Sequence, residues 1–229
     1  WSGSGTPALA STGPGGGNGA PNATYAGTAG ATGAVFVETS EALDPATDKD
    51  TEQDVYERYE GATKLVSTGP EGRNGPAPAS FQWASPDAAT VVFGTTEALT
   101  PQDTDAMPDV YERSGGATTL VSTGPEGGNG AFSASFAGAS QDSSHLFFVT
   151  AEPLVEEDED ESVDVYFRAG GETELVSIGP IGGNGSLSAG LRGVSSDGSV
   201  AFFTTKERLT VDDDFAGEED IYSWAAGES

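Results

Sequence analysis

Short apolar stretches, rich in β-branched and aromatic residues and alternating with polar positions, recur throughout this 229-residue chain and are closed off by Gly, Pro, Asn and Asp. A period of two predicts strands rather than helices. Four such stretches make up each larger unit. In the second unit they run from about Ala79 to Ser85, Thr90 to Thr96, Asp109 to Arg113 and Thr118 to Thr123. Pro86-Asp87 supplies the first turn, and Ser114-Gly115-Gly116 supplies the turn after the third strand.

The units repeat. Leu9-Ala10-Ser11-Thr12-Gly13-Pro14 returns at Leu65, Leu120 and Leu175, in steps of 56, 55 and 55 residues. The repeats are therefore about 9–64, 65–119, 120–174 and 175–229. Four antiparallel strands per unit predict an all-β chain, a four-bladed β-propeller forming a single domain over residues 1–229. The repeat boundary falls at the start of a strand. Pro7 to Thr12 is accordingly expected to be the outer strand that completes the last blade, in cis or in a neighbouring subunit.

The order Ser85-Pro86-Asp87, Val91-Val92-Phe93, Asp109-Val110-Tyr111 and Leu120-Val121-Ser122 resembles the blades of TolB-type, WD-like propeller repeats. Ser196-Asp197-Gly198 is a partial match, and the first repeat departs from the pattern, with Thr28-Ala29-Gly30 at the Ser-Pro-Asp turn. The resemblance implies a fold and no activity.

Charge narrows the function. With 37 acidic residues against 9 basic ones, the formal charge of −28 excludes a phosphate-backbone binder, so no nucleic acid is expected. No cysteine is present, which removes disulfides and thiolate sites. No apolar run approaches membrane-spanning length, so membrane insertion is not expected. The chain opens at Trp1 and reads as a processed product. High Gly, Ser and Thr with scarce Lys point to an extracellular setting, secreted or at the cell surface. Asn22-Ala23-Thr24 and Asn184-Gly185-Ser186 match the glycan acceptor pattern.

The candidate chemistry lies in an acidic loop between the second and third strands of each unit. Aspartates stand at positions 1, 3 and 7 in three copies: Asp48, Asp50 and Asp54; Asp103, Asp105 and Asp109; Asp158, Asp160 and Asp164. The fourth copy is looser and offers Asp212, Asp214 and Asp220. Oxygen-only ligands at this density suit Ca²⁺, up to four ions with one per blade, with the carbonyl of Glu52, Met107 or Ser162 as a further ligand. The rival reading is a solvated run of Asx-turn formers, and the recurrence of one spacing weighs against it.

Three further residues recur in register. Glu41, Glu97, Glu152 and Glu207 either reach the same ion or end a strand in solvent. Arg58, Arg113 and Arg168 are expected to pair with local carboxylates. Asn18, Asn74, Asn129 and Asn184 sit in Gly-rich crossovers, read as structural turns. His145 is the only histidine and has no repeated Ser or Asp companion, so no enzyme activity is expected.

The function these features predict is a calcium-binding structural or adhesive module, self-associating head to tail into an extracellular filament. The alternative is a glycan- or peptide-binding domain of a larger extracellular protein, with Trp83 and Trp224 as the aromatics to test.

Overall fold

The computed structural model describes residues 7–17, 19–70, 74–213 and 217–227. Among these residues there is no α-helix. The first sheet is β1 (Ala23–Ala29), β2 (Ala34–Thr39), β3 (Asp54–Tyr59) and β4 (Ala62–Leu65), and the second is β5 (Ala79–Ala84), β6 (Thr90–Thr95), β7 (Asp109–Ser114) and β8 (Ala117–Leu120). The third is β9 (Ser135–Ala139), β10 (Leu146–Thr150), β11 (Asp164–Ala169) and β12 (Glu172–Leu175). The fourth has three strands, β13 (Gly190–Val194), β14 (Val200–Thr205) and β15 (Asp220–Ala225). Within every sheet, spatial order follows chain order, so each unit is a meander.

Strand pairing explains the sequence pattern. The middle strands are buried on both faces and read as near-continuous apolar runs, such as Val91-Val92-Phe93 and Leu146-Phe147-Phe148. Cross-strand aromatic pairs lock their register: Phe148 opposite Tyr166 and Phe203 opposite Tyr222 stack with centroids 5.6 and 5.7 Å apart. The first strand of each unit carries a register shift at the equivalent place, between Tyr25 and Gly27, Phe81 and Trp83, Phe136 and Gly138, and Leu191 and Gly193. One extra residue there bends the strand.

The chain divides into two compact units, one drawn from residues 1–102 and 111–119, the other from 103–110 and 120–229. In the first, Phe36 stacks on Phe81 at 4.8 Å, joining the first sheet to the second. In the second, Phe147, Val165, Phe167, Ala201 and Phe203 form a buried cluster, against which Trp224 packs. Trp224 lies 4.9 Å from Phe167 and edge-on to Phe147, so its ring is largely committed to packing and is not the open platform a sugar reader needs.

Among the described residues Pro7 to Thr12 carries no strand and the fourth sheet has three; Thr63 Oγ1 of the first sheet donates to the Thr12 carbonyl at 2.5 Å. One expectation is corrected. In the first repeat, the Ser-Pro-Asp turn is occupied by Gly30-Ala31-Thr32, not by Thr28-Ala29-Gly30. Thr28 and Ala29 belong to β1, and Thr32 Oγ1 accepts from Ala34 N at 3.2 Å as Asp87 Oδ1 accepts from Ala89 N at 3.0 Å.

Candidate metal centres

The acidic loop folds as two successive Asx turns. The first aspartate accepts from the backbone N–H two residues on: Asp48 Oδ1 from Asp50, Asp103 Oδ1 from Asp105 and Asp158 Oδ1 from Asp160, at 3.2, 3.2 and 3.1 Å. The second does the same, Asp50 Oδ1 from Glu52, Asp105 Oδ1 from Met107 and Asp160 Oδ1 from Ser162, at 2.7, 2.6 and 2.5 Å. These bonds wind the loop inward and converge the carboxylates.

The third aspartate opens the next strand and is fixed from across the sheet. Ser67, Ser122 and Ser177 donate Oγ–H to Oδ1 of Asp54, Asp109 and Asp164 at 2.6, 2.6 and 2.5 Å. The same hydroxyls accept from the N–H of Val55, Val110 and Val165. Tyrosine supplies a second brace: the Tyr56 and Tyr166 hydroxyls donate to Oδ2 of Asp48 and Asp158 and accept from the N–H of Leu43 and Leu154 at 3.3 Å. Burial beside these carboxylates raises both phenol pKa values.

In each of the three loops, one ligand atom from each aspartate lies within 4.8 Å of the others. Two ligands on opposite sides of a calcium ion are also separated by about 4.8 Å. Asp50 Oδ2, Asp109 Oδ2, Asp160 Oδ2 and Asp164 Oδ2 are buried with no hydrogen-bond partner. Such atoms cost free energy unless something positive meets them. Burial, reinforced by the neighbouring aspartates and opposed by the serine hydroxyl, pushes Asp54, Asp109 and Asp164 up to about 7. The donor set is all oxygen, partly prearranged and strongly anionic, which fits Ca²⁺.

The fourth loop departs from this pattern. Tyr222 donates to Asp213 Oδ2 at 2.7 Å, so Asp213, and not Asp212, holds the place of Asp48 and Asp158. Asp212 is exposed, Asp220 opens β15, and Asp214 lies outside the described residues.

Three of the recurring glutamates accept hydrogen bonds from the Gly-rich crossovers. Glu152 Oε1 accepts from the N–H of Gly128, Asn129 and Gly130 at 2.7, 3.1 and 2.8 Å, and Glu41 Oε1 accepts from Gly17 and Gly19 at 2.8 Å. Glu207 caps Gly183 and Leu187 in the same manner. The Gly-rich crossover is thus an anion-binding nest whose anion is the chain's own glutamate. Gly128 sits at φ +119°, where a Cβ would also lie 2.6 Å from Thr123 Oγ1. Glu152→Ala is expected to cost roughly 2–4 kcal/mol by leaving those N–H groups without their charged acceptor. A urea midpoint shift at constant slope measures it.

The crossover asparagines brace the acidic loops. Asn74, Asn129 and Asn184 Oδ1 accept from the N–H of Lys49, Thr104 and Glu159 at 2.8, 2.6 and 2.8 Å. Asn184 therefore does the same work as two asparagines that lack an acceptor triplet; Asn22 is exposed just before β1. Nη1 of Arg113 and Arg168 bonds the carbonyls of Thr68 and Thr123 at 3.0 and 2.8 Å, together with the Thr118 and Thr173 hydroxyls. They latch each blade to the preceding Ser-Thr-Gly-Pro turn. His145 stacks on Phe167 at 5.2 Å, and its Nδ1 lies 2.7 Å from Ser144 Oγ within a turn.

No family model matches the chain and no relative is found among curated proteins, so the likeness of its repeats to TolB-type blades is one of motif and fold. Among solved structures, a chain from a study of two prolyl endopeptidases aligns with a TM-score of 0.50 at 14% identity, over 91% of this chain and 28% of its own length. The β-propeller domain of the Trilobed protease from Pyrococcus furiosus aligns with a TM-score of 0.48 at 11% identity, over 90% and 52% respectively. This chain spans well under two thirds of either. At such identities the likeness speaks for fold alone; with the four repeated meanders, it identifies the chain as an all-β protein of the four-bladed β-propeller class.

Proposed function

We propose that this protein is a non-enzymatic, calcium-binding β-propeller that serves outside the cell as a structural or adhesive module. The observation that carries the reading is the set of buried, unpartnered carboxylate oxygens in three acidic loops of one design. Calcium tolerates mixed side-chain and carbonyl ligands and a coordination number of six to eight, whereas magnesium demands a strict octahedron. Extracellular calcium is millimolar, which suits loops of this kind, and the scarcity of Lys agrees with that setting. A structural role is favoured over catalysis because the chemistry repeats with the fold, blade by blade, instead of converging once. The test is stoichiometry: native mass spectrometry in millimolar calcium should find three or four ions per chain, removed by chelator. Retention of none overturns the reading.

A further inference from the structure

Among the described residues no strand pairs with the outer side of β15, and the exposure of its residues differs from that in the other sheets. Val55, Val110 and Val165 are 0%, 1% and 0% exposed, whereas Ile221, at the same place in β15, is 74% exposed. On the neighbouring outer strand of the complete sheets, Leu65, Leu120 and Leu175 are 5%, 5% and 7% exposed, with Leu65 and Leu175 opposite Tyr56 and Tyr166. Their counterpart near the N-terminus, Leu9 in Leu9-Ala10-Ser11-Thr12-Gly13-Pro14, is 53% exposed. Leu9 and Ile221 are thus exposed where their counterparts in the other repeats are buried.

We infer that the segment Pro7–Thr12 of a second copy adds as the outer strand of β15, so that copies join head to tail. The complete sheets specify the bonding. Val66, Val121 and Val176 each donate N–H to the carbonyl of Val55, Val110 and Val165 at 2.8 Å, which assigns Ala10 N–H to the Ile221 carbonyl. Ser67, Ser122 and Ser177 each reach the aspartate that opens the third strand, which assigns Ser11 Oγ to Asp220. Leu9 then covers Tyr222, as Leu65 lies opposite Tyr56.

The incoming strand arrives already oriented. Thr63 Oγ1 holds the Thr12 carbonyl, as Thr118 and Thr173 hold Thr68 and Thr123 where one blade follows another. A first sheet carrying its own Thr12 therefore presents Leu9 to Ser11 in the manner of the preceding blade's last strand. Strand addition also removes an exposed sheet edge and buries Ile221. Because donor and acceptor lie on different parts of the chain, the contact is heterologous and does not close on a pair. It rests on strand pairing and not on the calcium reading.

Sedimentation velocity on the 229-residue chain across a concentration series should show oligomers growing with concentration. Leu9→Asp and Ile221→Asp should each sediment as monomers. Mixed together they should give a one-to-one dimer and nothing longer, since each variant retains one intact half. The chain has no cysteine, so Ala10→Cys with Ile221→Cys provides an independent readout. Oxidation should produce a ladder of covalent multimers; a cross-linked monomer would mean closure in cis and overturn the inference. A wild-type monomer at all concentrations, or oligomers that survive Leu9→Asp, would overturn it as well.

Discussion

Chelating calcium is expected to lower the melting temperature by on the order of 20 °C. A site saturated at a hundredfold excess over its Kd stabilises the fold by about 2.7 kcal/mol, and a domain of this size shifts by roughly 2–4 °C per kcal/mol. Three triads act together. Without the ion, carboxylates about 4 Å apart repel by roughly 4 kcal/mol per close pair at an effective dielectric near 20, before the loop relaxes. Calorimetry in calcium and in excess chelator measures the difference. Magnesium should restore only part of it; an unmoved transition with chelator would remove calcium from the account of stability.

Asp109→Asn should change stability in opposite directions with and without the ion. In chelator above neutral pH, the substitution removes a buried charge, and its amide nitrogen can donate to the neighbouring carboxylates. The melting temperature of the metal-free protein should rise by several degrees, about 1–3 kcal/mol. In calcium the variant should be the weaker one by a similar amount, because a ligand has been lost. The pH dependence has the same origin. Burial raises Asp54, Asp109 and Asp164 to about 7 from 3.8, so in this window the folded metal-free protein holds protons that the unfolded chain has released. Its stability is therefore greatest below about pH 4 with respect to these groups and falls as pH rises towards 7. Asp109→Asn should flatten one third of that slope. Equal shifts with and without calcium would show that Asp109 acts through packing alone.

Much of the fold was legible because its determinants are local. Alternation within four to six residues places a strand, and Pro86-Asp87 or Gly115-Gly116 places a turn, so the second repeat's strands fall within a residue or so of their expected limits, save at the end of the last. That strand stops at Leu120 because Val121 and Ser122 both turn their N–H to the Val110 carbonyl, bringing the Ser122 hydroxyl to Asp109. The three aspartate triads were legible for the same reason: seven residues of one loop contain them. What holds them was not. Ser67, Tyr56 and Asn74 recur in register with Asp54, and that shared period was the signal that they belong to its site.

The sequence by itself determined the period, the strands, the acidic loops and the convergence of three carboxylates in three of them, since all of these follow from backbone preferences and spacing within a few residues. The tertiary structure decided what residues many positions apart do to one another. It put Glu152 into the nest of Gly128 to Gly130, turned Arg113 and Arg168 to carbonyls of the preceding repeat, and made Asp213 the partner of Tyr222. It also left Leu9 and Ile221 exposed, although their counterparts in the other repeats are buried. A buried carboxylate takes whichever donors the docking of one blade on the next brings within 3 Å, and only packing chooses among a backbone nest, a hydroxyl and an ion.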